Sequence, residues 1–166
     1  MDLFSKAYEY IAGGQTVCLE PDGKFAGIKL DGLDDKERRL VEEGARIVSP
    51  GMAVVKRDVL SEAQLGTLHK QGALFPVFTG KGASMIALPE VRVEPQVGMA
   101  GMKSLTKWLH AHADQIKVTS QAAHRIVLEP VSGYGPDAVT IAHNLATKFK
   151  GLSASPRFVR IVSRPK

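Results

Sequence analysis

From Pro89 onward, β-like runs and amphipathic stretches follow one another in the order β, α, β, β, α, β, and few folds accommodate that order in so short a length. The β-like runs fall at 90–94, 115–120, 124–131 and 157–163, and the helical ones at 99–113 and 136–150. The second helix has the clearest limits. Pro136 stands where a first helical turn tolerates a missing N–H, and Gly151 lies just beyond the far end.

This order predicts a ferredoxin-like βαββαβ plait over 89–166, preceded by an N-terminal α/β region over 1–88 with two hairpins. The chain is therefore expected to be mixed α+β, whether its halves are separate domains or one continuous core. Pro89 is awkward, because the first strand of a plait is central and proline removes a ladder donor. Upstream, Leu3, Phe4, Ala7, Tyr8 and Ile11 at near-helical spacing, stopped by Gly13-Gly14, predict a helix over 3–12. Runs at 16–20 and 25–30 flank Pro21-Asp22-Gly23 and predict a hairpin. Leu40, Val41, Ala45 and Val48 predict a helix over 34–47, ended by Pro50-Gly51. A strand at 52–55 then leads to a helix capped by Ser61 and stopped by Gly72, and a second hairpin turns at Gly80-Lys81-Gly82.

Charge divides the chain unevenly. Residues 98–166 hold ten of the 22 Lys and Arg but only three of the 17 Asp and Glu, a formal charge of +7 against −2 for residues 1–97. Lys148, Lys150, Arg157, Arg160, Arg164 and Lys166 crowd the last 19 residues, where there is no acid. Such asymmetry points to a polyanionic partner. No apolar segment approaches the roughly 20 residues a bilayer requires, and the N-terminus lacks a basic stretch followed by an apolar run. A cytoplasmic protein with no membrane partner is the expectation. The one cysteine, Cys18, excludes an internal disulfide and a thiolate zinc site, and its neighbours Val17 and Leu19 predict a buried thiol.

His110-Ala111-His112 resembles the histidine pair with which enzymes that cut and rejoin single-stranded DNA hold a metal. Two histidines at i and i+2 share a face only on a strand, and these end a run of helical period. His112 is expected beside Leu105 and Trp108 on the buried side, and His110 with Lys103 and Lys107 on the polar side. Gly80-Lys81-Gly82-Ala83-Ser84 resembles part of a phosphate-cradling loop, but the spacing is incomplete and the residues after it are β-like. Gly133-Tyr134-Gly135-Pro136 precedes a helix, yet Pro136 removes an N–H and Asp137 repels an anion, so a loop and cap is expected. No carboxylate pair, histidine or nucleophile is placed for catalysis, and no metal site or cofactor is expected.

The basic surface is the remaining candidate. If Ile116, Val118, Ile126, Leu128, Val159 and Ile161 face the helices, alternation turns Lys117, Thr119, Arg125, Val127, Phe158, Arg160 and Arg164 to the open side. The expected nucleic-acid contacts are Lys117, Arg125, Lys148, Lys150, Phe158, Arg160, Arg164 and Lys166. The leading expectation is a small nucleic-acid-binding or nucleoprotein-associated protein, with RNA or DNA as partner. The alternative is a protein–protein interaction or assembly component, or an inhibitor subunit, that meets an acidic protein surface without catalysis.

Overall fold

The structure is a computed structural model that describes residues 5–36, 38–39, 46–49, 51–80, 82–95, 102–122, 125–149 and 152–161. It is mixed α+β, with three α-helices whose bounds are described and antiparallel pairing in each strand register the structure describes. The strands are β1 (Tyr8–Ala12), β2 (Gln15–Lys29), β3 (Arg46–Ser49), β4 (Met52–Lys56), β5 (Leu74–Gly80), β6 (Ala83–Pro95), β7 (Ile116–Gln121), β8 (Ile126–Pro130) and β9 (Leu152–Ile161). The helices are α1 (Glu62–Lys70), α2 (Met102–Ala111) and α3 (Gly135–Lys148). No described helix is long and apolar enough to cross a membrane. By backbone proximity the chain forms two compact units, one built around Leu19–Ile86 and the other from Tyr8–Cys18 with Ala87–Arg157.

In the unit around Leu19–Ile86, β4 pairs with β3 and β2, and β5 pairs with β2 and β6. Leu65 and Leu68 of α1 pack on Ala26, Ile28, Ala53, Val55 and Leu74. A fully buried side chain of this size contributes about 1.5–3 kcal/mol through lost apolar surface. Ser61 caps α1 reciprocally: its Oγ accepts from Gln64 N at 3.2 Å, and its own N–H donates to Gln64 Oε1 at 2.9 Å.

Two expectations fail here. Pro21-Asp22-Gly23 is not a reversal, since β2 runs on as one strand of 15 residues. The register against β5 passes from Asp22↔Val77 directly to Ala26↔Pro76, so Gly23, Lys24 and Phe25 form a bulge. Pro76, registered with Ala26 where pairing resumes, has no N–H to offer across the ladder, and within the bulge Lys24 N donates to Asp22 Oδ1 at 3.1 Å. The expected helix over 34–47 begins as the sequence suggests, with residues 35, 36, 38 and 39 helical, but 46–47 belong to β3, and 40–45 lie outside the described residues.

In the second unit the elements run β6, α2, β7, β8, α3, β9. Strand β8 lies between β6 and β7, and β9 pairs with β6. Val91, Val93, Ile116, Ile126, Leu128, Leu152 and Ala154 pack against Leu105 of α2 and Ala138, Ala142 and Leu145 of α3. Pro89 falls between the β6 residues registered with β5 (83–86) and those registered with β8 (91–93), which accommodates its missing donor.

Residues 8–18 belong to this unit, and 8–12 are not the helix expected over 3–12, of which residues 3–4 lie outside the described residues. Tyr8–Ala12 is a strand, and Gly13 (φ 58°) with Gly14 (φ 78°) forms the two-residue turn into β2. Both turn positions need φ > 0, which Gly-Gly supplies; the pair closes a hairpin instead of capping a helix. Strand β1 packs against α3. That helix is buried on more than its core side, since Pro136 and Val139 are buried yet lie outside the cluster facing the sheet. Alternation in β2 buries Val17 and Leu19 and turns Cys18 outward, its Sγ 3.9 Å from Glu9 Oε1, contrary to the expected buried thiol.

Candidate interaction face

The helices of the second unit lie on one side of the β9-β6-β8-β7 sheet, because the inward parity of each strand meets them. The opposite parity is largely solvent-exposed: Arg92 and Glu94 on β6, Lys117 and Thr119 on β7, and Ser153, Ser155 and Arg157 on β9, with Val127 and Glu129 of β8 half-buried. Alternation slips once. The register shifts between Val118 and Ser120, leaving Val118 42% exposed where it was expected inside, and Thr119 Oγ1 donates to Val127 O at 3.2 Å.

Charge on this face is interleaved. Arg125 Nε lies 3.6 Å from Glu94 Oε1. Glu90 sits between two guanidinium groups, with Oε2 at 3.6 Å from Arg92 Nε and 3.3 Å from Arg157 Nη1. Lys117 is registered opposite Glu129. Four cations thus face three carboxylates. The sequence alone missed this because Glu90 and Glu94 counted with the acidic half of the chain, although β6 carries them into the sheet of the basic half.

Of the expected contact residues, Lys117 and Arg125 lie on this face. Lys148 is exposed in the last turn of α3, Arg160 is exposed on β9, and Phe158 is half-buried there. Lys150, Arg164 and Lys166 lie outside the described residues. The two histidines of the His-Ala-His run are held differently: His110 is exposed, whereas His112 stacks on Trp108 at 4.0 Å and its Nδ1 lies 2.8 Å from Trp108 O.

Ahead of α3, Ser132 Oγ donates to Asp137 Oδ2 at 2.6 Å and accepts from Tyr134 N at 3.2 Å, so the loop is closed by its own side chains. Burial raises the Tyr134 phenol above its ordinary range, reinforced by Tyr8 and by the Asp137 carboxylate. Tyr8 is raised by burial first and Asp137 second. Both phenols therefore stay neutral well into alkaline solution.

Comparison with protein-family models, with curated proteins and with solved structures returns no match to this chain.

Proposed function

We propose that this protein is a binding component that docks on a protein partner through the exposed face of the β9-β6-β8-β7 sheet, with the second unit acting as a ferredoxin-like plait. The element order, the pairing of β8 between β6 and β7, and the pairing of β9 with β6 support the plait. The interleaving of Arg92, Lys117, Arg125 and Arg157 with Glu90, Glu94 and Glu129 carries the functional reading. A protein surface can answer such a pattern charge for charge, and complementary charges fix register and speed encounter. A phosphate backbone would instead meet three carboxylates on the face it has to cover.

Nucleic-acid binding is the second reading, favoured by the +7 of residues 98–166 and by exposed Lys148 and Arg160. A salt series of fluorescence-polarisation titrations with single- and double-stranded DNA and RNA separates the two. Docking predicts weak oligonucleotide binding by the native chain, and a steep salt dependence only in the E90Q/E94Q/E129Q variant, whose face is uniformly cationic. Tight, salt-steep binding by the native chain, lost in K117E/R125E, would replace the docking reading with the nucleic-acid one. Cross-links from Lys117 to a protein captured by the native chain, lost with R92E/R125E, which keeps the Lys117 amine, are the positive arm.

A further inference from the structure

The bulge of β2 and the exit of β4 build a cleft in the unit around Leu19–Ile86. Phe25 is registered opposite Lys56, the last residue of β4. Beyond Lys56 the chain turns through a short 3-10 segment, Arg57–Val59, before Ser61 caps α1. Gly23, Lys24 and Phe25 line one side, and Lys56, Arg57, Asp58, Leu60, Ser61 and Glu62 the other, around a volume of about 670 Å³. That lies within the roughly 300–1,000 Å³ typical of small-molecule sites. The walls differ in kind: Leu60 is buried and belongs to the core beneath, Phe25 is half-buried, and Lys24, Lys56 and Asp58 are exposed.

Charge selects the occupant. Arg57 Nη2 lies 3.7 Å from Glu62 Oε1, so those two charges offset each other. Neither the Lys24 nor the Lys56 ammonium has an ion-pair partner among the described residues: of the lining acids Glu62 is taken up by Arg57 and leaves Asp58, and the nearby Asp22 carboxylate accepts from Lys24 N. Two unpaired cations beside an apolar floor of Phe25 and Leu60 suit a ligand that is flat and apolar at one end and anionic at the other.

We propose that this cleft binds a small organic anion, its apolar body against Phe25 and Leu60 and its carboxylate, sulfonate or phosphate between Lys24 and Lys56. The site is independent of the exposed sheet face of the other unit and stands whichever partner that face takes.

The test uses the full chain with 8-anilinonaphthalene-1-sulfonate as fluorescent probe and the uncharged N-phenyl-1-naphthylamine as its neutral counterpart. The anionic probe should bind at one site per chain. K24Q/K56Q should weaken it about tenfold, the sum of two partly exposed charge contacts, and leave the neutral probe unchanged. Amide shifts in the presence of the anionic probe should cluster at 23–25 and 56–62. Equal affinity of native chain and K24Q/K56Q, no saturable binding, or shifts centred elsewhere would overturn the proposal. The lysine substitutions lie on the surface, and an unchanged melting temperature shows that the variant is folded.

Discussion

A Cβ added to Gly27 would stand 2.6 Å from Ile86 Cδ1, so the bare Cα of Gly27 on β2 makes the room that the terminal methyl of Ile86 on β6 fills. Phe75 Cβ lies behind at 3.4 Å and Ile86 is fully buried, which leaves little room to yield. Gly27→Ala is therefore expected to cost about 1–3 kcal/mol by overpacking. Ile86→Val removes the clashing methyl. The double variant should regain most of what Gly27→Ala loses, a coupling readable in urea midpoints, whereas additive losses would show that the clash is relieved elsewhere.

The reciprocal cap on α1 gives a second expectation. Ser61→Ala leaves Gln64 N without its acceptor at the start of a nine-residue helix. The expected loss is about 1 kcal/mol, with Ser61→Asp close to native because it offers the same acceptor. Thermal melts of the three chains decide it.

Glu90 links Arg92 and Arg157 on the exposed sheet face. The arginines are about half exposed, so Glu90→Gln is expected to cost under ~1 kcal/mol, and that difference should shrink at molar salt. A loss that persists in high salt would mean that Glu90 acts through packing and not through charge.

Tyr134 supplies a pH prediction. Its phenol is raised in the folded chain, so the folded state holds its proton more tightly than the unfolded state, whose phenol titrates near 10.0. This contribution is fully present below pH 10 and declines as pH rises toward the folded value. Tyr134→Phe should flatten part of the alkaline fall in urea midpoint between pH 9 and 11, measured relative to each chain's own midpoint at pH 7.

The helices of the second unit were legible in the sequence because their signals are local. Pro136 and the apolar period fix α3, and Leu105 and Trp108 fix the buried side of α2. Ser61 and Gly72 bracket α1 for the same reason. Strand β1 was not legible: five residues cannot separate a period of 3.6 from one of 2, and the partner that decides the matter, α3, lies far along the chain. Pro21-Asp22-Gly23 carries the chemistry of a turn and of a bulge alike, and only Pro76 across the ladder distinguishes them. The candidate face was half legible. Alternation placed Lys117 and Arg125 outward, but nothing local brings Glu94 beside Arg125, since that proximity depends on the pairing of β6 with β8.

The packing of β1 on α3 also governs the timing of assembly. Strand β2 pairs with β4 and β5 nearby in sequence, whereas β1, joined to it by Gly13-Gly14, packs on a helix far along the chain, and a two-stranded hairpin alone is marginal in water. The packing of β1 is completed only when Gly135–Lys148 joins it, so the second unit closes by bringing distant stretches of chain together. Its folding should be slower than its short helices and tight turns suggest, and a fragment starting at Pro89 would leave that side of α3 bare.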